Sequence, residues 1–184
     1  MVETMNYSPL AHDHPTPRSV TGVRVSPELS ITVIEPTAIA KLNGTEGSPL
    51  DDPSFRWSTF EADGYRLLWT GPGSWLAVSH AIAPAALLTA LASGDYGPDA
   101  TAVDLSHAYS VIKLAGPQSA ALLATAVPVD IESIRPGGSL GTLFGHYNVH
   151  LHAVETGMFD IYVSATVAVG AWELLLLSAE EFRA

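Results

Sequence analysis

Between Val103 and Ala126 the apolar repeat changes from one suited to a pleated strand to one suited to a helix, and that change limits what the chain can fold into. Tyr109, Val111 and Lys113 fall on one face of an extended segment and Ser110, Ile112 and Leu114 on the other, the alternation of a strand. Ser119, Leu122, Leu123 and Ala126 then recur at i, i+3, i+4 and i+7, one stripe of a helix able to cover the sheet just made. Pro117 suits a first helical position, where its missing N–H has no partner to lose, and Gly116 is acceptable as the cap before it. Pro128 steers Val127 out of the helical region and ends the helix there. An earlier strand at Val103, with Asp104 and Ser106 near its turn, is expected to pair with the Tyr109 strand.

The same logic divides the rest of the chain. Residues 1–26 carry Pro9, Pro15 and Pro17 without a sustained repeat and read as a flexible N-terminal arm; residues 27–184 read as one domain. A short strand is expected around Ile31 and Val33, then a brief helix from Pro36 to about Leu42, ended by Gly44. Gly47 to Pro53, with Asp51 and Asp52, reads as a solvated loop. Phe55–Glu61 and Tyr65–Thr70 flank Asp63-Gly64, a hairpin signal. A strand at Trp75–Val78 and a helix opening at Pro84, with Leu87, Leu88 and Leu91 on one face and Gly94 as its stop, come next. Ile134–Gly138 is a turn, and two or three strands follow between Leu140 and Val163. The last helix, about Thr166 to Phe182, carries Ala168, Trp172, Leu175, Leu176 and Ala179 on one stripe, with Leu174 and Leu177 off it. A helix apolar on two sides needs two coverings, its own sheet and a partner chain. The fold class is α+β, with mixed, mainly antiparallel sheets and packed helices.

Composition narrows the partners. Eight Lys and Arg stand against 19 Asp and Glu with no basic run, which argues against nucleic acid and anionic membrane. Charged residues are 15% and hydrophobic residues 47% of the chain, a balance that favours a surface partly covered by another chain. There is no cysteine, so no disulfide, thiolate nucleophile or Cys metal site. With neither a signal-peptide pattern nor a run of about 18 apolar residues, a cytoplasmic location is expected.

Several constellations invite chemistry. His146, His150 and His152, with Asn148, share one face of an extended segment, and histidines two apart on a strand can hold zinc; a polar outer face or subunit contact is the plainer expectation. Asp104, Ser106 and His107 have the residue types of a hydrolase triad, but their placement sends His107 to the opposite face and no G-x-S-x-G elbow accompanies them; turn and cap roles are expected. Gly71-Pro72-Gly73-Ser74 lacks the Lys and following helix of a phosphate loop and reads as a turn. His12 and His14 in the arm offer too few ligands for a metal, and the Asn43-Gly44-Thr45 sequon carries no weight. Trp75 and Trp172 read as core or interface residues. No catalytic, cofactor-binding or metal residue is assigned.

Longer blocks carry a resemblance. GPGSWLAVS, AVDLSHAYSVIKLAGPQSAALLATAVPVDI, PGGSLGTLFGHYNVHLH and FDIYVSATVAVGAWELLLLSAEEF resemble, in order, segments of the gamma subunit of heterotetrameric sarcosine oxidase, over about Ile31 to Phe182. The blocks are also similar to a trimmed folate-binding domain of the glycine-cleavage aminomethyltransferases. Where that family has T-G-E-x-G-[FY]-E, this chain has Thr156-Gly157-Met158-Phe159-Asp160, without the first Glu and second Gly. The K-G-C-Y-x-G-Q-E motif of the related iron–sulfur repair proteins is missing. The resemblance implies a noncatalytic subunit of a complex that oxidises sarcosine to glycine, passes the one-carbon unit to tetrahydrofolate and produces hydrogen peroxide. It places FAD, FMN, NAD, tetrahydrofolate and zinc on other subunits, and makes the alpha, beta and delta chains the partners. The alternatives are the equivalent subunit of an N-methylglutamate dehydrogenase-type complex and a stand-alone folate-binding protein.

Overall fold

The computed structural model describes residues 22–34, 38–44, 48–52, 58–62, 64–97 and 99–183. Two antiparallel sheets stack face to face, and each is covered on its far side by helices. The first sheet is ordered β1-β2-β8-β11-β10-β9, from β1 (Gly22–Ser26), β2 (Leu29–Ile34), β8 (Tyr109–Ala115), β9 (Ser139–Phe144), β10 (Tyr147–Glu155) and β11 (Met158–Ser164). The second is ordered β4-β5-β6-β3-β7, from β3 (Ala38–Asn43), β4 (Thr59–Ala62), β5 (Tyr65–Gly71), β6 (Ser74–Ser79) and β7 (Thr101–Asp104). Helix α1 (Pro84–Ser93) covers the second sheet, whereas α2 (Ser119–Ala124) and α3 (Ala168–Ala179) cover the first. Among the described residues no helix is long and apolar enough to cross a membrane. The α+β reading, with mainly antiparallel sheets and packed helices, holds.

Three apolar layers follow from strand alternation. Ile31, Ile112, Leu114, Leu151, Phe159 and Ile161 meet Leu122, Leu123 and Leu175 under α2 and α3. Leu42, Leu67, Trp75 and Ala77 meet Leu87 and Leu91 under α1, and the indole of Trp75 donates to the Leu50 carbonyl at 3.1 Å. Between the sheets, Ile39, Leu68, Leu76 and Val78 face Val111 and Tyr162. Each large side chain closed off in this way contributes about 1.5–3 kcal/mol of transfer free energy.

Four expectations need correction. Gly22–Ser26, placed in the arm, pairs with β2 as a strand; residues 1–21, with His12 and His14, lie outside the described residues. The helix expected up to Leu42 is strand β3, held between β6 and β7; ladders on both edges override the helical preference of its alanines. β7 and β8 do not pair: β7 joins β3 in the second sheet while β8 lies between β2 and β11 in the first, so the Asp104–Ser106 turn carries the chain across layers. Helix α2 begins at Ser119, two residues after Pro117. The hairpin at Gly64, the turn before Trp75, helix α1 and its stop at Gly94 stand as expected.

Candidate functional site

Polar side chains in the otherwise apolar inter-sheet layer mark the site. On β10, His150 is 7% and His152 1% exposed. Register sets His152 opposite Asp160 of β11, and Asp160 opposite Lys113 of β8; the next rung sets His150 opposite Tyr162 and Tyr162 opposite Val111. These residues all occupy the face of the first sheet that meets the second. The expectation of a polar outer face is therefore wrong. Because a second sheet covers this face, the alternation that separates polar from apolar residues separates two interiors. His146 lies in the β9–β10 turn, exposed, its ring over Tyr147 at 4.0 Å between centroids, and Asn148 is exposed. The structure thus brings together His150 and His152 but not the other two. Among the described residues no three His, Asp or Glu side chains meet in a metal-holding group.

The seam carries more positive than negative charge. Asp160, 3% exposed, lies 3.7 Å from the Lys113 ammonium. Burial pushes its carboxyl above the usual range, against the opposing pull of Lys113, His80 and Arg66. Burial pushes His150 down to about 3, helped by Lys41 and His152; burial likewise takes His152 down to about 4, helped by Arg66 and Lys113. Both rings are neutral at pH 7. Burial also raises the Tyr162 phenol and lowers the Lys41 ammonium, which donates to Thr70 Oγ1 at 2.6 Å. Arg66 pairs with Glu61 at the rim. Among the described residues, the buried atoms Thr59 Oγ1, His150 Nε2, His152 Nδ1 and Asp160 Oδ1 have no hydrogen-bond partner, an arrangement that costs stability. The sequence signal for the missed members was a lone charge inside each apolar strand, Lys113 in YSVIKLA and Asp160 in FDIYV.

The stretch 156–160, which resembles the aminomethyltransferase motif, has a structural task at its glycine. Gly157 (φ +75°) accepts at its carbonyl from the Gly116 amide at 2.9 Å and from Ser119 Oγ, also at 2.9 Å. Gly116 (φ +126°) lies against the Glu28 carbonyl, where a Cβ would have no room. Three loops thereby close into one knot beneath the seam's Lys113 end. Asp104 accepts from the Ser106 amide and hydroxyl at 2.9 and 2.6 Å, bonds that hold its carboxyl below the usual range; Ser106 Oγ accepts in turn from the Ile39 amide at 3.1 Å. These are turn contacts, as expected, and His107 is exposed. Gly73 completes a hairpin turn against Gly44, whose amide donates to the Gly73 carbonyl at 2.7 Å. The surface also has a groove of about 300 Å³ beside Ile134 and Leu140 and one of about 320 Å³ beside the β1–β2 hairpin; neither is lined by seam residues.

No family model and no curated protein matches this chain. Among solved structures, a chain of heterotetrameric sarcosine oxidase from Corynebacterium sp. U-96, in complex with pyrrole 2-carboxylate, superposes with a TM-score of 0.75 at 23% identity. That match covers 87% of this chain and 89% of that one. Glycine cleavage system aminomethyltransferase T from Bartonella henselae superposes with a TM-score of 0.61 at 15% identity, over 85% of this chain and 50% of the other; the chain spans about half of that protein. The resemblance read from the sequence is thus matched in three dimensions, and the chain has the aminomethyltransferase-like fold found in both proteins.

Proposed function

We propose that this chain is a noncatalytic, structural subunit of a heterotetrameric oxidase of the sarcosine oxidase type. The carrying observation is the near end-to-end superposition with a chain of such an oxidase, 87% of one length on 89% of the other, where the aminomethyltransferase match leaves half of its partner unaccounted for. The seam supports the same reading. Its only buried carboxylate, among the described residues, is Asp160, which is shut between sheets beside an ammonium and out of reach of a substrate in bulk solvent. In the complex proposed, the alpha, beta and delta chains carry FAD, FMN, NAD, tetrahydrofolate and zinc, and this chain contributes shape and contact area. Sarcosine is the methylated amine proposed; N-methylglutamate is the alternative, and the substrate on which the purified complex turns over separates them.

A second reading, a stand-alone folate-binding protein, is favoured by one observation: Asp160 ends the stretch Thr156-Gly157-Met158-Phe159-Asp160 that resembles the aminomethyltransferase motif. Coexpression with the other three chains tests the first reading. Stoichiometric copurification, with loss of the assembled oxidase when this chain is omitted, is the expected result. Full assembly and turnover without it would refute the role. Saturable tetrahydrofolate binding by the isolated chain in calorimetry would transfer support to the second reading.

A further inference from the structure

We propose that the polar seam between the two sheets is a proton-operated latch: protonation of His150 and His152 drives the second sheet away from the β10 side of the first. The inference is independent of the subunit assignment. Both rings sit on one strand, closed from solvent, each with a ring nitrogen that has no hydrogen-bond partner. A proton taken up at either ring enters a layer that already holds more cations than anions. From β3 the seam receives Lys41, from β5 Arg66, from β8 Lys113 and from the β6–α1 turn His80; from β11 it receives Asp160 and the phenol of Tyr162. β4 contributes Glu61, which is paired with Arg66 at the rim. Among the described residues, Asp160 is the one buried carboxylate placed to compensate, being cross-strand from His152. It already faces Lys113, and burial makes it surrender its charge early as the pH falls, so it withdraws as the imidazoliums form. A buried charge without a partner is strongly unfavourable, and moving the two sheets apart admits water to it.

The sign follows from the lowered histidine values. A group whose pKa is depressed in the folded state stabilises the fold above its unfolded value and loses that contribution as the pH drops toward the folded one. For His150 and His152 the window runs from about 6.5 down to about 3 and about 4. At pH 5 each has forfeited a factor of about thirty in the closed-to-open ratio relative to pH 7.5. Asp160 works in the opposite sense, because its raised value favours the folded state in acid, and so it cannot produce the loss. What opens is the inter-sheet layer of Leu68, Leu76, Val111 and Tyr162; the cores under α1 and under α2 and α3 have their own apolar packing.

Histidine ¹⁵N and leucine methyl NMR on the full chain, from pH 7.5 to 4.5, tests this directly. His150 and His152 are expected to stay neutral past pH 6 and then to take up protons in one step. The Leu68 and Leu76 methyl signals shift in that step while those of Leu122 and Leu175 hold. Protonation near pH 6.5 with Leu68 and Leu76 unmoved would overturn the latch, as would simultaneous collapse of all four leucine signals. Urea unfolding of the His150→Asn, His152→Asn double variant supplies the second measurement: between pH 7.5 and 5 its folding constant should fall about a thousand-fold less than that of the parent. An equal fall rejects the assignment to these rings.

Discussion

At Gly116 a single hydrogen atom decides whether three loops can meet. A φ of +126° is costly for any L side chain, and a Cβ there would fall on the Glu28 carbonyl, which backbone cannot yield without moving the β1–β2 hairpin. Gly116→Ala should therefore cost at least ~2 kcal/mol. Gly157→Ala, at an ordinary left-handed φ of +75° with 3.1 Å to the Gly116 carbonyl, should cost only about 1–2 kcal/mol. Urea midpoints for the two variants check the order, and a Gly116→Ala protein as stable as the parent would contradict it. The residue's part in a corner before a helix was legible from Gly116-Pro117. Its collision partner was not, because Glu28 lies far away in sequence and only the β2–β8 pairing brings it near. His150, His152, Lys113 and Asp160 show the same division. Their faces could be read from alternation, but whether a face met water or a second sheet depended on residues elsewhere in the chain.

At the scale of elements, α3 shows how a repeat can be read correctly and its surroundings wrongly. Ala168, Leu175 and Ala179 are buried as the stripe requires, with Ala171 beside them; Trp172 and Leu176 are only partly so. The second apolar side is split. Leu174 packs on the same core, its Cδ2 over Gly145, and the Tyr147 hydroxyl covers Gly170. Leu177 is 69% exposed. The chain's own β9–β10 turn thus supplies much of the covering expected from a partner. Leu174→Asp should consequently destabilise the isolated chain by about 2–4 kcal/mol, whereas Leu177→Asp should change its stability by less than ~0.5 kcal/mol and weaken only copurification with the other subunits. Thermal melts of both variants, beside pull-downs, separate the roles; a large stability loss in Leu177→Asp would contradict a role for Leu177 in partner contact alone. Strand β3 is the converse case. AIAKLN is rich in helix formers, and it is buried on both faces, so neither propensity nor alternation marked it as a strand.

At the scale of the whole molecule, the second sheet and α1 form one continuous insertion, Ala38 to Asp104, between β2 and β8, which pair with each other in the first sheet. Such an insertion could in principle melt by itself. Its inner face argues otherwise, because Ile39, Leu68, Leu76 and Val78 find their covering on Val111 and Tyr162 of the other sheet, and Ser139 Oγ donates across the corner to the Ser58 and Trp69 carbonyls at 3.2 and 3.3 Å. Separation would expose that layer on both sides at once, so at pH 7.5, with the seam histidines neutral, the chain should unfold in one cooperative step. Two Trp→Phe backgrounds make this measurable, one keeping only Trp75 in the second sheet and one keeping only Trp172 on α3. Their urea transitions should coincide. Adding Leu68→Ala should lower both by the same ~2–4 kcal/mol, the cost of a cavity at a fully buried leucine. If the Trp75 transition moved and the Trp172 transition stayed, the inter-sheet layer would be a contact between two independently folding units, and the single cooperative step expected at pH 7.5 would be refuted.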